Sequence, residues 1–130
     1  MAGELILIVE DNEKNRKLER DVLQFHGYQI MEAVTAEDGL RLAGETPPAL
    51  VLMDIQLPGM SGIEALAALR ADPALRTIPV IAVTASAMTH DRQKILDAGF
   101  DGYQSKPISV KEFVAAVRRM LDTAGGSARP

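Results

Sequence analysis

Five short aliphatic runs, separated by longer amphipathic stretches, constrain this 130-residue chain more than any other feature. Leu5–Val9 (LILIV), residues 50–53 (LVLM) and residues 80–83 (VIAV) are apolar at every position, with none of the polar alternation of a half-exposed strand. A strand that is apolar on both sides must be covered on both sides, and parallel strands in βα units meet that condition. Residues 29–34 and Gly102–Ser105 are weaker runs that suit the edges of a sheet. The pattern predicts five parallel strands with helices on both faces, an α/β layer sandwich.

The intervening stretches carry helix signals. Across residues 13–25, Leu18, Val22 and Phe25 fall at i, i+4 and i+7, which predicts an apolar face, and Gly27 supplies a stop. A second helix is expected from Thr35, with Asp38 three positions on, to just before Pro47-Pro48. Ser61 with Glu64 and Ser109 with Glu112 predict capped starts for the third and fifth helices. A more polar fourth helix is expected over residues 89–98, ended by Gly99. The fifth, through Leu121, carries Val110, Phe113, Val114, Val117 and Leu121 at helical spacing. Residues 1–122 read as one domain, and residues 123–130 (TAGGSARP) as a tail without regular structure.

Composition excludes several function classes. No cysteine is present, so there is no thiolate nucleophile and no Cys-ligated zinc or iron–sulfur site. Fourteen Lys and Arg against eighteen Asp and Glu give a net charge of −4, which argues against direct nucleic-acid binding. The first apolar run is only five residues long and has no basic start, and no run approaches the roughly twenty residues of a membrane span. A cytoplasmic protein without membrane insertion is expected.

Ligand sites of open parallel sheets lie at the carboxyl ends of the strands. Those ends here read Glu10-Asp11, Asp54, Thr84-Ala85 and Lys106-Pro107. Singly, each such residue is more often a cap or a solvated side chain. Jointly they place three carboxylates, a hydroxyl and an ammonium at one edge. Crowded carboxylates call for a cation, and an all-oxygen donor set suits Mg²⁺. Asp54 can then act as a nucleophile toward phosphorus, with Lys106 and the Thr84 hydroxyl stabilising the phosphoryl oxygens.

These residues and their surroundings, VEDN at Glu10-Asp11, LMDIQLPGMSG at Asp54, VTA at Thr84 and SKP at Lys106, resemble the receiver domain of bacterial two-component response regulators, from Leu5 to Leu121. VEDN, MDIQLP, VTASAM and SKPIS together are most similar to the stand-alone, DivK-type members. The resemblance implies a three-layer (βα)5 flavodoxin-like receiver fold with strand order 2-1-3-4-5. It implies that Asp54 is the phosphoacceptor, that Asp11, Asp54 and the Gln56 backbone carbonyl bind Mg²⁺, and that Glu10 assists through water. Thr84 and Tyr103 would form the switch, and Lys106-Pro107 a cis peptide bond. Partners would be a sensor histidine kinase or histidine phosphotransfer protein, and a downstream protein on the face of helix four, strand five and helix five. Glu10 departs from the aspartate of many members, while Gln56 and Ser86 occupy positions that tune phosphoryl lifetime.

Rival readings are weaker. A phosphatase with an aspartyl nucleophile needs a general acid two residues later, where this chain has Gln56. A receiver-like module that binds partners without phosphorylation would not need the full acid, threonine and lysine set. The acidic loop after the first strand would repel a flavin phosphate. Gly59 and Gly62 read as turn residues, and His26 and His90 lack the paired spacing of metal ligands. Of the six methionines, Met60 and Met88 are expected near exposed loops that could meet a partner.

Overall fold

The computed structural model describes residues 3–85 and 89–127. Strands and helices alternate: β1 (Leu5–Val9), α1 (Glu13–Phe25), β2 (Gln29–Ala33), α2 (Ala36–Glu45), β3 (Leu50–Asp54), α3 (Gly62–Ala71), β4 (Val80–Thr84), α4 (Thr89–Asp97), β5 (Gly102–Ser105) and α5 (Val110–Ser127). All strand pairs are parallel, in the order β2-β1-β3-β4-β5. The three central strands β1, β3 and β4 carry the three uninterrupted apolar runs, LILIV, LVLM and VIAV.

Side-chain alternation along the strands divides the interior in two. Ile6, Ile8, Leu50, Leu52, Ile81 and Val83 project to the side of α1 and α5, against Leu23, Phe113, Val117 and Leu121. Leu7, Val9, Val51, Met53, Val80 and Ala82 project to the other side, against Ala36, Ala43, Leu66, Leu69 and Ile95 of α2, α3 and α4. Each fully buried Leu or Ile contributes roughly 1.5–3 kcal/mol, so both faces are needed to offset the entropy of ordering the chain.

Local chemistry sets the helix starts. Asn12 caps α1, its side chain accepting from the Asn15 N–H at 3.0 Å, and Thr35 caps α2 through the Asp38 N–H at 3.1 Å. At Ser61 the capping box is reciprocal, Glu64 N–H to Ser61 Oγ at 3.2 Å and Ser61 N–H to Glu64 Oε1 at 3.0 Å. Gly27, at φ +92°, turns the chain out of α1 in a conformation that favours glycine.

Three expectations need correction. The buried residues of α1 are Glu19 and Leu23, whereas Leu18 is 40% exposed and Phe25 86% exposed. The helix is rotated so that Leu23 meets the core with Val22 packed half-buried against it, while Leu18 and Phe25 of the expected stripe lie to one side. Phe25 instead meets His26 edge to face, with ring centroids 5.4 Å apart. At the carboxyl end, α5 runs on to Ser127, so residues 123–127 are helical rather than irregular. Once nucleated by its packed part, a helix extends at one hydrogen bond per residue fixed. Val110, placed on the apolar stripe of α5, is 46% exposed at its first turn. Met60 is half-buried against the α2–α4 side, and Met88 and Ser86 lie outside the described residues. No helix of the described residues is long and apolar enough to cross a membrane.

Candidate functional site

Two site residues are the last residues of their strands. Asp54 pairs with Val83 at the end of β3, and Thr84 pairs with Ser105 at the end of β4. Beyond β1, the Glu10 N–H still donates to Ala33 O at 3.0 Å, which carries the ladder one residue into the acidic turn. The carboxylate oxygens available from Glu10, Asp11 and Asp54 lie within 4.8 Å of one another. Glu10 and Asp54 are buried and Asp11 is exposed, so the cluster opens to solvent on the Asp11 side.

Lys106 reaches in from the loop after β5. Its Nζ donates to Asp54 Oδ2 at 3.1 Å and lies 2.8 Å from Glu10 Oε1. The second contact is an ion pair without hydrogen-bond alignment, and Glu10 Oε1 accepts no hydrogen bond among the described residues. The other oxygens are held by main chain: Asn12 N–H donates to Glu10 Oε2 at 3.1 Å, and Gln56 N–H to Asp54 Oδ1 at 3.0 Å. The Lys106-Pro107 peptide bond is cis, and the Lys106 N–H donates to Thr84 O at 2.8 Å.

Electrostatics follow from this crowding. Burial pushes the Glu10 carboxyl up to about 7; the Lys106 ammonium pulls it down, and Asp54 pushes it up again. Burial alone would lower the Lys106 ammonium, but Glu10 and Asp54 outweigh it and hold it above the usual lysine range. One cation thus serves two buried carboxylates, with a third alongside. Three carboxylates that share one ammonium and open to water on the Asp11 side fit a hard dication that keeps part of its water shell.

The sequence profile of the response regulator receiver domain matches residues 6–118. The chain belongs to that family. The receiver domain is 47% identical over 119 residues to the polar-differentiation response regulator DivK of Brucella ovis, covering 92% of this chain and 97% of that protein. Its fold superposes with a TM-score of 0.88 on the CheY-like receiver domain of Methanospirillum hungatei, at 29% identity over 98% of this chain and 100% of that one. A receiver domain of a sensor histidine kinase from Pseudomonas aeruginosa is also similar, with a TM-score of 0.86 and 33% identity over 93% of this chain and 99% of that one. That structure holds a magnesium ion coordinated in its active-site cleft.

Within the receiver domain, Thr84 and Tyr103 occupy one face of the sheet. Tyr103 pairs with Ala82, so it sits two residues short of the Thr84 level rather than at the end of its strand. Its ring packs against the α2–α4 side of the core, and the Arg92 guanidinium stands 4.8 Å from the ring centroid. Gln56 is exposed at the mouth of the site. His26 is exposed just past the end of α1, and the side chain of His90 lies outside the described residues.

Three residues near the site escape sequence reasoning. Glu19 of α1 is 2% exposed, and burial pushes its carboxyl up to about 8, with Glu10 and Asp54 raising it further and Lys106 opposing. An acid on a helix reads as a solvated face, so nothing flags it. Arg92 gives no signal either, because stacking on Tyr103 depends on where α4 meets β5. Arg16 carries a weak signal, since Arg16 and Arg20 at i, i+4 share one face of α1 and both meet Glu32 of β2.

Proposed function

We propose that this receiver domain is a stand-alone regulator of a two-component phosphorelay that accepts a phosphoryl group on Asp54. The observation that carries the reading is the shared ammonium of Lys106 at 3.1 Å from Asp54 and 2.8 Å from Glu10, beside a third carboxylate. The donor is a phosphohistidine on a sensor histidine kinase or a histidine phosphotransfer protein in the cytoplasm. An Asp54 oxygen bonds to phosphorus as the phosphorus–nitrogen bond of the donor breaks, giving an acyl phosphate, and the imidazole nitrogen left behind takes a proton.

Asp11, Asp54 and the Gln56 backbone carbonyl would hold Mg²⁺ directly, with Glu10 holding one of its waters. When bound, Mg²⁺ neutralises charge on the phosphoryl oxygens. Lys106 turns its ammonium from the Asp54 carboxylate to the phosphoryl group, and the Thr84 hydroxyl donates to another of its oxygens. Thr84 is then drawn toward Asp54, and Tyr103, on the same face, fills the space it leaves. The likeness to DivK supports reading the output as protein binding, on the face of α4, β5 and α5.

The test is incubation with acetyl phosphate or phosphoramidate and Mg²⁺, read by intact mass. The parent should gain one phosphoryl group, and Asp54→Asn should gain none. A parent that stays unmodified would favour an interaction module independent of phosphorylation.

A further inference from the structure

Arg16 connects the acidic turn to the neighbouring strand. Its Nη1 donates to the main-chain oxygen of Glu10 at 2.9 Å, and its Nε lies 3.3 Å from Glu32 Oε1. Glu32 is held in turn by Arg20, whose Nη1 lies 3.2 Å from both of its carboxylate oxygens. Glu32 belongs to β2 and pairs in register with Ile8, two residues before Glu10. The guanidinium therefore bridges the carboxyl end of β1 to the adjacent strand from the α1 side, and at 18% exposure its side chain is largely withdrawn from solvent.

The turn needs such a tie. Glu10, Asp11 and Asp54 crowd their oxygens together, and without a bound cation their repulsion favours opening the turn that carries two of them. Asn12 fixes the carboxylate of Glu10, but Arg16 is the side chain that fixes its backbone. A planar fork with two separated acceptors holds that geometry in a way a single ammonium cannot.

We propose that Arg16, with Glu32 as its counterion, is a positioning residue of the metal site: it holds the Glu10-Asp11 turn in the arrangement that Mg²⁺ binds. The inference rests on the Mg²⁺ reading above. It also opposes plain electrostatics in sign. Removing a cation near a dication site should tighten Mg²⁺ binding by Coulomb repulsion alone, whereas loosening the turn should weaken it.

The experiment is an NMR titration of the full chain with Mg²⁺, following the amides of Glu10, Asp11 and Asn12 in the parent, Arg16→Met and Arg16→Lys. Half-saturating Mg²⁺ for phosphorylation by acetyl phosphate is measured alongside. Arg16→Met should raise the dissociation constant about tenfold, at the lower end of effects seen when an outer partner of a metal ligand is lost. Arg16→Lys, which keeps the charge, should fall between it and the parent. The rate lost in either variant should return as Mg²⁺ is added. An unchanged or tighter constant in Arg16→Met, or a parent-like constant in Arg16→Lys should Arg16→Met fail to fold, overturns the inference while leaving the metal reading intact. Parent amides that do not respond to Mg²⁺ overturn both.

Discussion

Lys106 donates to Asp54 across 52 positions of sequence, and the same ammonium is the only charged partner of the buried Glu10 carboxylate among the described residues. The lysine is therefore a structural counterion before it is anything else. Replacing it with methionine keeps most of the stem and leaves two buried carboxylates uncompensated. Removing one partner of a buried ion pair costs about 3 kcal/mol. Lys106→Met should lose about that much at pH 8 and less at pH 5.5, where Glu10 can take up a proton instead. Urea denaturation at both pH values measures it, and equal losses would show that the ammonium does not compensate Glu10.

The acids Glu10 and Glu19 give the metal-free protein an unusual pH dependence. Both carboxyls are raised in the folded state, to about 7 and about 8, from an ordinary 4.5. Over that range the native state binds more protons than the unfolded chain, so the stability these two groups contribute is fully present below about pH 4.5 and is lost progressively as pH rises to about 8. Glu19→Gln stays neutral throughout and should flatten part of the slope, gaining roughly 2–4 kcal/mol over the parent at pH 8. Chemical denaturation in EDTA between pH 5 and 9 tests this. A parent curve that rises with pH would contradict it.

Gly62 should be irreplaceable for a geometric reason. A Cβ built there would collide with Asp54 O and stand 2.8 Å from the Ile55 Cα, both backbone atoms that cannot swing aside. Gly62→Ala should destabilise the fold by about 1–3 kcal/mol, as overpacking does, and displace the end of β3. Its phosphorylation by acetyl phosphate should slow relative to the parent even at temperatures where it is fully folded. An alanine variant with parental melting temperature and rate would show that the α3 start yields easily.

Thr84→Ala should separate phosphorylation from its consequence. The variant keeps Asp54, Asp11 and Lys106, so it should still gain the phosphoryl mass. A two-state pair shifts only by the difference in interaction energy between its states. Without the hydroxyl, that difference should shrink at Tyr103 and α4. Phosphorylation-induced amide shifts in α4 and β5 should be smaller than in the parent, and shifts of equal size would assign the coupling elsewhere.

The legible parts of this molecule are those where one physical demand dominates. LILIV, LVLM and VIAV can only be strands covered on both faces, and their ends locate Glu10, Asp11, Asp54 and Thr84 without further information. Illegible parts arise where two demands compete. In α1, Leu18, Val22 and Phe25 make a better apolar stripe than Glu19 and Leu23, yet the second set is buried, because the helix is oriented by its contact with β1, β2 and α5. No pattern rule accepts a buried glutamate. Arg16 and Arg92 act across elements, on Glu10 and Tyr103, and such pairs exist only once the sheet order is known. The end of α5 was invisible for the opposite reason: residues 123–127 bring no large apolar side chain, so their helix depends on what precedes it.

The stacking of Arg92 on Tyr103 also makes the chain its own optical probe. It contains no tryptophan and two tyrosines, of which Tyr28 is 5% exposed on the α1–α5 side. In a Tyr28→Phe background every photon emitted on tyrosine excitation comes from the ring beneath the guanidinium. A cation over the ring face alters its absorption and quenching, so departure of either partner would change the signal. The movement of a single side chain where α4 meets β5 could then be followed in a cuvette, in real time and without a dye.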